Sequence, residues 1–248
     1  MGWIAQSFAA LFDGVGRFIG SLDATRLWES RNTTLVLGWL LGLASAPLAE
    51  WVKDRRRKNQ VAIAIRRELH ELQYRLALVS FSVELDVGDG FNRDFIARTK
   101  QLVSGYRGAL LDPEMMRKLD VFLKYTDAET AEYVAHVRAK NRGKVIPPFE
   151  APYLDSVMGD LRLFSPDVQT SLLSIRAHLG MLNDHIETSA YYERLTFTNL
   201  EGENYATVVA NGRQGLQQVG KLSRRIAEMI QALYPEDQQH PAGGSAPR

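Results

Sequence analysis

Cysteine is absent from the 248 residues, and only five are histidine. The first absence excludes thiolate nucleophiles, CxxC redox chemistry and cysteine-bound zinc or iron–sulfur clusters; the second leaves any metal site thinly supplied. Charge of one sign is lacking as well. Lys+Arg 30 stand against Asp+Glu 29, a formal net charge of +1, so the chain as a whole is neither a basic nucleic-acid binder nor an acidic disordered polymer. The patterns GxxxxGK(S/T), GxGxxG and GxSxG do not occur, which removes the usual phosphate cradle and the hydrolase nucleophile elbow. No stretch alternates apolar and polar residues with period two over a convincing length, so sheet folds are not indicated. The chain is long enough for one ordinary domain with its own core. The expectation is an all-α, non-enzymatic protein with no cofactor.

What is present begins with a run free of charge. Residues 33–49 (TTLVLGWLLGLASAPLA) hold no ionisable side chain, and extension to residue 52 gives roughly 30 Å of helix at about 1.5 Å per residue, the thickness of a hydrocarbon core. Leu35, Val36, Leu37, Leu40, Leu41, Leu43 and Leu48 together favour insertion by about 2–4 kcal/mol, whereas Glu50 falls at the interface, where its cost is small. A buried helix of a soluble core is the alternative. It is the weaker reading because Lys53, Arg55, Arg56, Arg57 and Lys58 follow at once. The same basic run exceeds Arg17, Arg26 and Arg31 on the other flank, so residues 53 onward are expected to face the cytoplasm of a bacterial cell, with the run against anionic headgroups of the inner membrane.

Upstream, Trp3, Ile4, Phe8, Leu11, Phe12, Val15, Phe18, Ile19 and Leu22 fall at helical spacing opposite Gln6, Ser7, Asp13, Arg17 and Ser21. Residues 2–22 therefore read as an amphipathic helix. The gain from its large apolar side chains, about 2–5 kcal/mol, is close to the cost of Asp13 and Arg17 at about 2.5–3.5 kcal/mol each. It can lie in the interface or cross to form a hairpin. Asp13 and Arg17 are one turn apart and can pair, and in an assembly of several copies they would line a polar path. Gly16 and Gly20 in this segment, and Gly38, Gly42 and Ala46 in the next, are also one turn apart. Such spacing lets helix backbones approach in lipid, so self-association or hairpin packing is expected. Residues 1–52 thus form a membrane module.

Residues 53–234 read as a helical bundle. Ala62, Ile65, Leu69, Leu72, Leu76, Val79 and Val83 mark one long seam, and Val168, Leu172, Ile175, Leu179, Leu182 and Ile186 a second. Between them, breaks at Gly88–Gly90 and an Asp112-Pro113 start signal delimit helices at about 92–106 and from 113 onward. Ser165-Pro166 offers the same start chemistry. A last helix, about 203–234, presents Tyr205, Val209, Leu216, Val219, Ile226, Ile230 and Leu233, with Gly212 on the same stripe allowing a close neighbour. Residues 235–248 are polar, rich in Gly and Pro, and expected to be disordered. An up-and-down arrangement of five or six helices follows.

Few clusters could carry chemistry. His178 and His185 share a helix stripe, yet Met181 and Leu182 stand where a further ligand would be needed. Asp86, Asp89 and Asp94 lack the alternating oxygens and closing Glu of a calcium loop. Arg138, Lys140, Arg142 and Lys144 on a breaker-rich loop could meet phosphate groups of a nucleotide signal. Interleaved aromatics are sparse there, so nucleic acid is not an expected partner.

In layout, a short membrane module followed by a helical cytoplasmic domain, the chain resembles the transmembrane effectors of retron and related anti-phage systems. The resemblance rests on the order of segments and transfers no site residue. It implies a toxin-like effector in antiviral defence, whose N-terminal helices oligomerise and perturb the membrane when the bundle meets a cytoplasmic protein or signal. The alternative is a membrane-anchored scaffold or adaptor binding a partner through its bundle. Expected partners are membrane lipid, further copies of the chain and that cytoplasmic trigger.

Overall fold

The computed structural model describes residues 31–140, 145–198 and 201–235. These form α1 (Arg31–Val87), α2 (Arg93–Ser104), α3 (Pro113–Phe122), α4 (Asp127–Lys140), α5 (Pro152–Ser156), a 3₁₀ segment (Met158–Leu163), α6 (Pro166–Leu195) and α7 (Gly202–Leu233). Among the described residues there is no strand, and the chain is all-α. The chain divides into two compact units, Met1–Arg57 and Lys58–Arg248, with the division inside the basic run. The described part of the first unit is helix alone.

Punctuation of the second unit follows side-chain chemistry. Asn92 caps α2, its Oδ1 accepting from the Phe95 N–H at 2.9 Å, and Asp112 caps α3 through the Glu114 N–H at 2.9 Å. Ser165 does not repeat this. Its hydroxyl makes no cap bond, and α6 starts on Pro166 with Asp167 in its first turn. α5 has no local side-chain cap, and its cap comes from elsewhere: the Glu68 carboxylate of α1 accepts from the N–H groups of Tyr153 and Leu154, both at 2.8 Å.

Both seams close within the chain. Ile65, Leu69, Leu72, Leu76 and Val83 of α1 are buried, as are Leu172, Ile175, Leu179, Leu182 and Ile186 of α6. Each such side chain contributes about 1.5–3 kcal/mol. Since Leu72 and Leu179 are inside the core, the seams are not faces held open for a partner. In α7 only the second half behaves as expected: Val219, Ile226 and Ile230 are fully buried, whereas Tyr205 and Val209 stay exposed. The close approaches involve glycines other than Gly212, whose missing Cβ would make only ordinary contact with Tyr192. A Cβ on Gly220 would lie 2.8 Å from Val83 Cγ1, and one on Gly215 would lie 2.5 Å from Ser189 Oγ. These set the spacing of α7 from α1 and α6.

The breaks around α1 are filled by aromatic rings. Phe81 meets Phe91 at 5.4 Å and Phe122 at 5.9 Å, and Phe122 meets Tyr133 at 5.0 Å edge to face, which ties α1, α3 and α4 into one cluster. The result is three long helices, α1 beyond Arg57, α6 and α7, with short helices packed on them, rather than a bundle of equals.

Candidate functional site

In the first unit the described large side chains are exposed. Trp39 is 66% and Trp51 55% exposed, and Leu48 and Val52 are also exposed. At about 100° per residue these four point to different sides of the helix, so no single solvated face is left opposite them. A Cβ on Gly38 or Gly42 would meet nothing within 4 Å, and Ser45 folds its hydroxyl back to the Gly42 carbonyl at 2.8 Å. The backbone at this glycine pair is therefore open to a neighbour. The Ala46 side chain lies outside the described set, as do those of residues 31–37, 40, 41, 43, 44 and 47. Among the described residues, no helix is long and apolar enough to cross a membrane. Asp13, Arg17, Gly16 and Gly20, with the whole of residues 2–22, lie outside the described residues.

Lys53, Arg55, Arg56, Arg57 and Lys58 are all exposed. The same angular step distributes their five cations right round the axis, so they form a collar rather than a stripe. The Arg55 guanidinium sits over the Trp51 ring at 5.3 Å, a cation–π contact that joins the last aromatic side chain to the first cations. An aromatic ring backed by snorkelling basic side chains is the combination that settles at a lipid interface.

Of the second candidate, Arg138 and Lys140 lie in the last turn of α4. Arg138 is committed to the end of α1: its guanidinium donates to the carbonyls of Leu85 at 3.0 Å and Glu84 at 3.2 Å, and to that of Gly88. It serves as a remote helix C-cap, which sequence spacing does not reveal because the partners are about fifty residues away. Lys140 is exposed at the end of α4, and Arg142 and Lys144 lie outside the described residues.

The histidine and aspartate candidates resolve into structure. His178 Nδ1 is paired with the Ser174 carbonyl at 2.8 Å at the edge of the seam. Asp89 is held by α7, with its Oδ2 accepting from Gln217 Nε2 at 3.2 Å and Arg213 3.8 Å from its Oδ1. Among the described residues no group of three or more His, Asp or Glu could hold a metal ion.

Two features escaped the sequence reading because each joins distant segments. One is an apolar groove of about 340 Å³ between α6 and α7, lined by Ile186, Tyr192, Phe197, Tyr205, Val209 and Leu216. Tyr205 and Val209 keep the helical spacing of core residues but supply this groove instead. The other is a basic cleft where Arg66, Arg67 and His70 of α1 face Arg107. Comparison with protein-family models, curated proteins and solved structures finds no match to this chain. Its function is therefore argued from its own geometry.

Proposed function

We propose that the chain is a non-enzymatic effector of the bacterial inner membrane, anchored by residues 33–52 and carrying its helical unit on the cytoplasmic side. The observation that supports this best is the described helix before Lys58, with Trp39, Leu48, Trp51 and Val52 exposed on several sides and a collar of five cations directly after them. Leaving such a surface in water forgoes about 25 cal/mol per Å² of apolar area, and lipid recovers it without a protein partner. The open backbone at Gly38 and Gly42 fits packing against another copy. Assembly would bring several Asp13/Arg17 pairs together and so perturb the bilayer. The segment layout then makes anti-phage defence its setting.

Two measurements test the proposal. The full chain should float with liposomes, and Leu40→Arg/Leu41→Arg should leave it in the unbound fraction; flotation unchanged by that pair sinks the anchor. Expression of the full chain should depolarise the inner membrane, and Asp13→Leu/Arg17→Leu should restore the potential while leaving flotation intact. Protease access to residues 1–30 in right-side-out vesicles distinguishes one crossing from a hairpin.

The adaptor reading retains one supporting feature, the groove at Phe197, Tyr205 and Val209, with Phe197 81% exposed. It suits the apolar face of an amphipathic helix. Under that reading Val209→Asp abolishes capture of the partner, and the membrane potential never changes.

A further inference from the structure

We propose that the cleft between α1 and the loop joining α2 to α3 binds a phosphate-bearing anion. The cleft measures about 940 Å³, within the range of small-molecule sites, and brings Arg66, Arg67, His70 and Glu71 of α1 together with Arg107 and the backbone of residues 105–110. The residues lining the cleft include three arginines, Arg66, Arg67 and Arg107, and one carboxylate, that of Glu71, in a chain that is almost neutral as a whole. Guanidinium is the group best suited to this chemistry, since its planar fork donates two parallel hydrogen bonds to phosphate oxygens.

The cleft is held in shape before any ligand arrives. Behind two of its lining residues, the Tyr234 ring of the segment after α7 lies 5.4 Å from the Arg66 guanidinium and 5.7 Å from the His70 ring. Burial, and after it the charge of Arg66, holds the His70 imidazole below its ordinary value, so the positive charge here belongs to the arginines. On the loop side Tyr106 stacks on Tyr74 at 4.3 Å, and the Asp112 N–H donates to Tyr74 Oη at 2.9 Å. Arg107 donates to the Ser104 carbonyl at 3.1 Å, which fixes its guanidinium at the rim. A Cβ on Gly108 would fall 2.0 Å from Tyr106 Oη, so only glycine lets the loop follow this path over the ring. Preformed walls reduce the ordering cost of binding.

The phosphate can belong to a soluble polyphosphate compound or to an anionic phospholipid headgroup, and one experiment distinguishes them. Hydrogen exchange is followed in the full chain in nanodiscs of phosphatidylcholine alone, in the same discs with tripolyphosphate, and in discs containing phosphatidylglycerol. Slowing of residues 66–71 and 105–110 by about tenfold is expected at ten times the dissociation constant. Protection by tripolyphosphate assigns a soluble ligand, and protection only in the phosphatidylglycerol discs assigns a headgroup. In both cases Arg67→Gln/Arg107→Gln, two exposed positions whose change leaves the helical circular dichroism intact, should abolish it, and Arg55→Gln/Arg57→Gln should not. No protection by either probe, protection that persists in Arg67→Gln/Arg107→Gln, or protection lost in the collar variant overturns the proposal. The readout is local to the cleft and independent of flotation and membrane potential.

Discussion

The two parts of α1, before and after Lys58, differ in what surrounds them. Before it, Trp39, Leu48 and Trp51 are exposed and, among the described residues, no other atom lies within 4 Å of a Cβ on glycines 38 and 42; after it, Ile65, Leu69, Leu72 and Leu76 are buried and Gly220 presses on Val83. One helix thus changes its surroundings along its length. In the second part an apolar residue at every third or fourth position belongs to the same buried core as residues of α6 and α7. In the first the described apolar side chains stay exposed on several sides. Helical periodicity alone would not separate them, whereas burial does.

The comparison breaks most sharply at the core. Leu69 is fully buried, and Leu69→Ala should cost about 2–5 kcal/mol, read as a lower denaturation midpoint of the detergent-solubilised chain, with flotation unaltered. Trp39→Ala should do the reverse, leaving unfolding within about 0.5 kcal/mol of the parent while weakening liposome binding. A loss of unfolding stability as large as that of Leu69→Ala would show that Trp39 is packed against protein.

Arg138→Ala comes next. It removes the donor to the carbonyls of Leu85 and Gly88 at the end of α1 and leaves that of Glu84 with the Gly88 N–H alone, and about 1.5–3 kcal/mol should be lost, again by denaturation. Should the variant match the parent, the cap is ornamental and Arg138 returns to the pool of phosphate ligands. Smaller still is the paired test of glycines. Gly220→Ala should destabilise by about 1–2 kcal/mol because its Cβ has to displace the stiff Val83 side chain, more than the helix propensity of Ala repays. Gly38→Ala should leave unfolding unchanged, and Gly38→Leu should lower cross-linking between copies in membranes if the open backbone is an assembly surface.

Helix identity and core membership were legible because three-four spacing survives wherever a helix buries one face: Leu69, Leu76, Leu172 and Leu182 were all on the seams read from the residues alone. The Asp112 cap was visible as well, since cap chemistry is local, whereas Asn92 was read only as the start of a helix. What could not be read depends on residues far apart in the chain. Glu68 capping α5, Arg138 closing α1, and the meeting of Arg66 with Arg107 all depend on tertiary packing. The charged stretch of residues 138–144 looked like a site because its cations recur at alternate positions, yet Arg138, which is half-buried, is turned to carbonyl oxygens at the end of α1. Conversely, Tyr205 and Val209 carried a core pattern but line the groove between α6 and α7 and stay exposed.

The mildest effect expected is a pH dependence confined to the second unit. His70 is packed against Tyr234, with Arg66 on the preceding turn, Arg67 and Glu71 beside it and Arg107 across the cleft. Burial, followed by the Arg66 charge, lowers its folded value below the ordinary 6.5, so the unfolded chain takes up the proton first as the medium is acidified. Stability is then fully present above about pH 6.5 and is lost as pH falls from there toward the folded value. Denaturation midpoints at pH 7.5 and 5.5 should therefore diverge in the parent and draw together in His70→Gln, a window chosen to stop short of general carboxylate protonation. Flotation should be the same at both pH values, because His70 lies outside the residues proposed to meet the membrane. A midpoint that falls equally in His70→Gln would place the acid sensitivity elsewhere, and flotation that falls with it would mean that the two parts of α1 do not answer to separate surroundings.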